Sequence, residues 1–173
     1  ISILAGVQIA GLQKQLGSAV VVRAMPNLGA IVGASVTAVC SKNKSAVNFA
    51  KKLFEACGAV AVLNEKYFDA VTAVSGSGPA YFFLMMELLQ AFAEANGIDT
   101  KSARALAVQT ALGAGKLAAA SAESPSILRE RVTSKKGTTD AALTVLKYRK
   151  FPKTFFEALN AAVKRSRQLS GAK

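Results

Sequence analysis

The sequence predicts an α/β segment that corresponds to half of a doubly wound domain, followed by an all-α domain. Up to about residue 65, short apolar runs alternate with amphipathic stretches, as strands alternate with helices in α/β proteins. From residue 66 onward, apolar residues recur at helical spacing and no convincing strand follows. With 173 residues, 51% of them hydrophobic and 18% charged, the chain is globular. We therefore predict two domains, 1–65 and 66–173.

The α/β segment is predicted to contain three strands and two helices. Its strands are expected at residues 1–5, 19–23 and 59–63, and its helices at 9–16 and 45–57. The strand segments are almost continuously apolar, as in parallel strands buried on both faces. Because three strands make only half of a doubly wound sheet, we expect further residues upstream of Ile1.

The second domain is predicted to consist of about five helices, after a brief extended stretch at 71–74. They are expected over 80–96, over 100–120, from Pro125, from the Thr138–Thr139 region to about 150, and from Pro152 to a stop at Gly171. Ser77 or Gly78 is the expected N-cap of the first of them. The first of these helices is apolar nearly all round, which predicts that a partner subunit covers it. It is too short and too often interrupted by polar residues to span a membrane.

Composition and charge exclude several classes of function. The net charge is +12, but the basic residues of the C-terminal part are scattered among apolar ones at helical spacing, so we predict solvated helix faces and no nucleic-acid partner. The chain has no histidine, and Cys40 and Cys57 form no CxxC pair, so we predict no metal site and no serine–histidine triad. Two cysteines of this kind are typical of buried, inert thiols in the cytoplasm.

The polar stretch VTSKKGTTD at Val132–Asp140 lies between two predicted helices. Thr138 or Thr139 is a natural N-cap, and Asp140 would complement the helix dipole in the first turn. A helix start exposes N–H groups without partners, and Gly137 lets the chain approach a ligand closely. With two lysines beside it, the stretch suits a carboxylate or a phosphate. The alternative is a solvated turn with two surface lysines.

A second candidate is Asn27 in the segment RAMPN, which follows the end of a predicted strand. Ligands of α/β sheets bind beyond the carboxyl ends of strands. Asn27 is therefore a ligand candidate, although asparagine at such a position also caps turns. The residues alone leave both interpretations open.

Five stretches carry a resemblance to a known family through essentially the whole chain. They are ISILAGV at 1–7, RAMPN at 23–27, SGSGPAY at 75–81, Gln109-Thr110 with Gly113, and VTSKKGTT at 132–139. In this order the chain resembles the pyrroline-5-carboxylate reductases, which catalyse the last step of proline biosynthesis. The pair SGSGPAY and VTS..GTT is the most specific part of the resemblance.

The resemblance implies the second half of a Rossmann-type domain for NADP or NAD, followed by a helical dimerisation domain. Ile3, Leu4 and Ala5 would lie along the nicotinamide half of the cofactor, with Asn27 nearby. The implied assembly is a homodimer, or a higher oligomer of dimers. The glycine fingerprint for the cofactor phosphates would lie upstream of Ile1, so we expect these 173 residues alone to be inactive. A non-catalytic helical oligomerisation module is the alternative.

By the same resemblance, Ser134–Thr139, referred to below as the 134–139 loop, would bind the carboxylate of pyrroline-5-carboxylate. The residues implied in substrate binding are Ser134, Gly137, Thr138 and Thr139, and Thr139 would also hydrogen-bond the ring nitrogen as the catalytic residue. The implied reaction is hydride transfer from NAD(P)H to the C=N carbon, which gives L-proline.

The chain departs from the family pattern at two places. Leu28-Gly29 follow the Met-Pro-Asn, where the family usually has Thr-Pro. Lys135 and Lys136 replace Pro-Gly in a loop that usually reads Ser-Pro-Gly-Gly-Thr-Thr. The lost glycine is expected to stiffen or strain the loop, whereas the lysines are expected to strengthen its attraction for anions.

Overall fold

The computed structural model describes residues 1–169; residues 170–173, including the predicted helix stop Gly171, lie outside the described part. The chain forms two compact units. The first unit comprises Ile1–Ala80 and the chain from Glu157 on, and the second comprises Tyr81–Phe156. The predicted order of an α/β segment and a helical region is confirmed. The domain boundary predicted at residue 65 marks a change in the sequence pattern, whereas the two units are distinguished by their packing. The predicted boundary therefore stays a prediction.

The first unit contains a three-stranded sheet. Its strands, in spatial order, are β1 (Arg23–Met25), β2 (Ser35–Cys40) and β3 (Gly58–Val62). β2 and β3 are parallel, but β1 runs antiparallel to β2, so the expectation of parallel strands is wrong for β1. The physical reason is the connection: β1 and β2 are joined through a short 3₁₀ turn at Leu28–Val32 instead of the long crossover that parallel strands require.

The predicted strands are only partly confirmed. The strand at 1–5 is wrong except for Ser2, which forms a single parallel bridge with Arg23. The strand expected at 19–23 is displaced, because regular pairing begins only at Arg23. β3 matches the strand predicted at 59–63, shifted by one residue, but Val62 is 55% exposed because β3 is an edge strand. The central strand β2 was not predicted.

All helices but one lie close to their predicted positions; the exception, Phe68–Val71, was not predicted. The helices are α1 (Ile9–Leu16), α2 (Lys44–Glu55), α3 (Phe68–Val71), α4 (Gly78–Ala95), α5 (Thr100–Ala120), α6 (Pro125–Arg131), α7 (Thr138–Tyr148) and α8 (Phe151–Leu169). Asp99 caps α5 by accepting the Ser102 N–H, and Ser124 caps α6 by accepting the Ile127 N–H, as expected of these residue types.

The start of α4 differs from its prediction. The stretch at 71–74 is helical rather than extended, and Thr72–Gly76 forms a π-helical turn. In this turn the Ser77 N–H donates to the Thr72 carbonyl oxygen at 2.8 Å. The predicted N-cap at Ser77 or Gly78 is therefore wrong, because Ser77 already has helical backbone angles.

An ion pair between a buried arginine and a half-buried glutamate joins α1, β1 and the segment that leads into α3. The guanidinium of Arg23, which is 3% exposed, lies 3.2 Å from Glu65 Oε1 and stacks over the Phe68 ring. The same carboxylate oxygen accepts the Ile9 N–H at 2.7 Å, at the start of α1. Glu65 therefore fixes α1 against β1 and satisfies both buried donors.

Both cysteines are free thiols. Cys40 is buried in β2, and this burial raises its pKa to about 11, with a further contribution from the negative charge of Glu65. The thiol therefore stays protonated at neutral pH and is a poor nucleophile, in agreement with the predicted inert role.

Thr37 on β2 gives the first testable prediction. The residue is fully buried, and its hydroxyl has no hydrogen-bond partner within residues 1–169. Thr37→Val replaces the unpaired hydroxyl with a methyl group of similar shape, so we expect the free energy of unfolding to rise by about 1 kcal/mol. Thr37→Ser, which keeps the hydroxyl and loses the methyl, should lower it. Urea denaturation measures both; a less stable Thr37→Val variant would contradict the prediction.

Candidate functional site

The 134–139 loop lies in the second unit, between α6 and α7. The Gly137 N–H donates to the Ser134 carbonyl oxygen at 2.9 Å, which closes a β-turn with two lysines at its centre. Lys136, the third residue of this turn, has a φ of +62°. That left-handed conformation is the one for which turns of type II select glycine. Position 136, where the family pattern has glycine and this chain has lysine, thus has a backbone conformation that favours glycine. It is the position at which the loss of a glycine was expected to strain the loop.

The helix after the loop begins one or two residues earlier than the two predicted N-caps imply. Gly137 is the N-cap of α7 and Thr138 its first residue, so the prediction of a threonine N-cap is wrong. The Gly137 carbonyl accepts the first helical bond, from Ala141 N–H at 3.0 Å, but glycine offers no side chain to the first turn. Within the described residues, the N–H groups of Thr138, Thr139 and Asp140 have no acceptor. This leaves three donors and the positive end of a helix dipole open to an anion.

Two further features shape this helix start. A Cβ at Gly137 would overlap Ser134 Oγ and lie 3.0 Å from the Ser134 carbonyl oxygen, so a glycine here allows the close approach that was predicted. The hydroxyl of Thr139 also makes no hydrogen bond within residues 1–169 and is only half-buried. It is therefore able to contact a ligand bound at the first turn.

Asp140 has a contact that the sequence prediction missed. Its Oδ2 accepts the Lys136 N–H at 2.9 Å, across the turn. We expected Asp140 only to complement the helix dipole. Asp140 lies three residues after the N-cap Gly137, which is the spacing at which an acidic side chain reaches back in a capping box. A capping box would pair it with the Gly137 N–H, so the spacing indicates the direction of the side chain but not its partner Lys136.

The segment Ile3–Ala5, predicted to line the cofactor, lies in the first unit. Backbone bonds of 2.8 Å from Ser2 to the Val22 carbonyl and from Ala24 to the Ser2 carbonyl hold its start beside β1. Ile3 is 57% exposed and Leu4 is 56% exposed. The segment thus presents apolar side chains that the described residues leave half uncovered.

Asn27 has the capping contacts that were the alternative to a ligand role. Its Oδ1 accepts the Gly29 N–H at 2.9 Å, and its Nδ2 donates to Ser75 Oγ at 3.1 Å. Its own N–H donates to Ser35 Oγ at 3.2 Å. Asn27 therefore ties the β1–β2 connection to the π-helical turn, and a cofactor contact by this residue stays a prediction.

The family model for pyrroline-5-carboxylate reductase dimerisation matches residues 65–169. The chain belongs to the pyrroline-5-carboxylate reductase family. The match includes the 134–139 loop and every helix from α3 to α8.

Relatives of known name agree with this family. The chain is 41% identical over 172 residues to the pyrroline-5-carboxylate reductase of Synechocystis sp. and 43% identical over 175 residues to that of Pseudomonas aeruginosa. Both alignments cover 98% of this chain and 64% of the relative. The chain thus spans less than two thirds of the length of these reductases.

Solved structures of the family share the fold. The Plasmodium falciparum pyrroline carboxylate reductase with NADP bound superposes with a TM-score of 0.90 at 30% identity, covering 98% of this chain and 70% of that one. The Coxiella burnetii pyrroline-5-carboxylate reductase gives a TM-score of 0.90 at 40% identity, covering 96% of this chain and 63% of that one.

The part that matches the dimerisation family contains a conspicuous apolar helix. Large apolar side chains of α4 are between 39% and 72% exposed in the described chain: Phe82, Phe83, Leu84, Met85, Leu88, Leu89 and Phe92. In residues 1–169, no helix combines the length and hydropathy of a membrane span. The same residues contain no cluster of three or more acidic or cysteine side chains placed to hold a metal ion.

Proposed function

We propose that the protein containing this chain reduces 1-pyrroline-5-carboxylate to L-proline with NADPH or NADH. The observation that carries the proposal is the family match, because it spans the helix start whose N–H groups lack acceptors. The NADP bound in the Plasmodium falciparum relative supports NADP as a cofactor. We also propose a cytoplasmic location, where free thiols such as Cys40 and Cys57 persist, and no nucleic-acid or membrane partner.

The substrate carboxylate is proposed to bind at the first turn of α7. The N–H groups of Thr138 and Thr139 donate to its oxygens, and the helix dipole favours the negative charge. Gly137 lets the chain come close, and the Ser134 hydroxyl lies beside it. Lys135 and Lys136 are exposed and add long-range attraction that salt screens.

The segment Ile3–Ala5 and Asn27 are proposed to contact the cofactor, and Thr139 is proposed to orient the substrate. When bound, the nicotinamide cofactor supplies the hydride that adds to the C=N carbon. The half-exposed apolar segment Ile3–Ala5 fits the flat face of a nicotinamide ring, and Asn27 holds the neighbouring turn. Thr139 Oγ1 accepts a hydrogen bond from the protonated ring nitrogen and fixes the orientation of the imine. Since the imine brings its own proton, a chain without histidine can support the reaction.

A steady-state assay of the complete polypeptide with pyrroline-5-carboxylate and NADPH tests the proposal. We expect turnover by the complete polypeptide and none by the 173 residues alone, because these residues span only 64% of the length of the Synechocystis sp. and Pseudomonas aeruginosa reductases. Robust turnover by the 173 residues would overturn the second expectation. Absence of turnover by the complete polypeptide would favour the alternative, a non-catalytic helical oligomerisation module.

The proposed assembly is a homodimer, or a higher oligomer built from dimers, in which α4 is covered by a second copy. Phe92 is 72% exposed on α4, so Phe92→Glu should leave the helix intact and place a charge in the proposed interface. We expect sedimentation velocity at micromolar concentration to show a dimer for the native chain and a monomer for this variant. Lys52→Glu, a charge reversal on exposed α2, serves as the control and should remain dimeric. A monomeric native chain would contradict the prediction.

A further inference from the structure

We propose that Asp140 is a positioning residue of the substrate site, which compensates for the lysine at position 136. Its carboxylate holds the 134–139 loop in the conformation that leaves the Thr138 and Thr139 N–H groups open to the substrate carboxylate. The inference rests on the function proposed above, because it concerns the substrate site of that reaction.

The backbone of Lys136 is strained. Among residues 1–169, only Lys136 and Lys150 combine a side chain with a positive φ. Lys150 follows the end of α7, where a left-handed residue is common, and its N–H donates to the Lys147 carbonyl. Lys136 lies inside a turn before a helix, and a side chain disfavours its conformation. Such a conformation persists only when neighbouring contacts hold it.

A contact with Asp140 holds Lys136 in this conformation. The Lys136 N–H donates to Asp140 Oδ2 at 2.9 Å, and a hydrogen bond to a carboxylate is stronger than one to a neutral acceptor. Asp140 is half-buried on the first turn of α7, so its carboxylate is tied to the helix. The bond therefore fixes the turn relative to the helix start.

The backbone N–H groups of the loop and of the helix start have different roles. The Lys136 and Gly137 N–H groups are used within the loop, by Asp140 and by the Ser134 carbonyl. The N–H groups of Thr138 and Thr139 at the helix start remain open. The bond between Lys136 and Asp140 therefore positions the donors that bind the substrate. The same carboxylate adds negative charge beside an anion site and repels the substrate. Asp140 thus has two effects of opposite sign, which two substitutions can separate.

The experiment measures kcat and KM of the complete enzyme with Asp140→Ala and Asp140→Asn. Asp140→Ala removes the acceptor, so KM should rise by about 10- to 150-fold with little change in kcat, as for the loss of one hydrogen bond to a charged group. Asp140→Asn keeps an acceptor oxygen and removes the charge. Its KM should fall by about twofold at low ionic strength and return toward the native value at high salt.

A double substitution tests the link to position 136. Glycine adopts the left-handed conformation without strain. Adding Lys136→Gly to Asp140→Ala should therefore bring KM most of the way back to the native value. Amide hydrogen exchange gives a second readout on the chain itself. The Lys136 N–H should be protected in the native chain and in Asp140→Asn, and unprotected in Asp140→Ala.

Asp99→Ala is the matched control. Asp99 also accepts a backbone N–H at a helix start, from Ser102 at 3.0 Å, but it caps α5. Asp99→Ala should lower the free energy of unfolding without changing KM. This control therefore distinguishes the general effect of losing a helix cap from a role in positioning the substrate site. An unchanged KM in Asp140→Ala, while the native enzyme turns over, would overturn the inference alone. The inference would also be overturned if KM rose equally in Asp140→Ala and Asp140→Asn and Lys136→Gly did not lower the KM of Asp140→Ala. Absence of turnover by the native enzyme would instead overturn the proposed function.

Discussion

Gly58→Ala should destabilise the first unit strongly. Gly58 opens β3 with a φ of +138°, which side chains rarely adopt, and it lies directly opposite Ser35 of β2. A Cβ at this position would overlap the Ser35 carbonyl oxygen, a backbone atom that cannot rotate away. The strained φ costs about 1–3 kcal/mol and the overlap costs about the same again, so we expect the free energy of unfolding to fall by about 2–6 kcal/mol. That is a large share of the stability of a domain of this size.

Gly11→Ala is the control for this experiment. Gly11 lies inside α1, and a Cβ there would meet no atom within 4 Å. Alanine in a helix interior is favoured over glycine by about 0.5–1 kcal/mol, so this variant should be slightly more stable than the native chain. Urea denaturation followed by circular dichroism measures both variants. Native-like stability of Gly58→Ala would show that the β2–β3 pairing tolerates a side chain at its first position.

The helices were predictable because consecutive residues specify them. Asp99 before α5 and Ser124 with Pro125 at α6 are local signals, and the structure confirms both caps. The π-helical turn at Thr72–Gly76 has no comparable signal. Its bonds span five residues, and its shape is supported by distant contacts such as that of Ser75 with Asn27.

The sheet was less predictable because its pairing depends on distant residues. β2 contains Ser35 and Thr37, whose polarity interrupts the apolar run expected of a buried strand. Both are buried by tertiary contacts, and Ser35 gains a partner in the Asn27 N–H. The direction of β1 follows from the short connection to β2, which hydrophobic patterning does not encode.

The candidate site was predictable in its chemistry and not in its geometry. A polar, glycine-containing stretch before a helix indicated an anion site, and the structure places open N–H groups at that helix start. Whether Gly137 or Thr138 is the cap depends on the backbone angles of one residue, which residue preference alone does not determine. The conformation of Lys136 and its bond to Asp140 depend on the closed turn, so residue preferences do not predict them.

Thr139→Ala should lower kcat/KM of the complete enzyme by about 5- to 150-fold, the equivalent of one transition-state hydrogen bond worth about 1–3 kcal/mol. The expectation follows from a hydroxyl that makes no hydrogen bond in the described chain and lies on the first turn of α7. The ring nitrogen becomes an amine as the C=N bond is reduced, so a partner for its N–H matters throughout the reaction. Thr139→Ser, which retains the hydroxyl, should retain most of the activity.

Lys135→Ala and Lys136→Ala distinguish binding by backbone N–H groups from binding by side-chain charge. Both lysines are exposed, so their attraction for the substrate carboxylate acts through solvent and should fade as ionic strength rises. We expect each substitution to raise KM slightly at low salt and to have almost no effect at high salt, whereas the loss in Thr139→Ala should persist at both. If Thr139→Ala were silent while either lysine variant lost most of its activity at every salt concentration, the loop would bind its substrate through the lysine side chains. The open N–H groups at the start of α7 would then not be the carboxylate site.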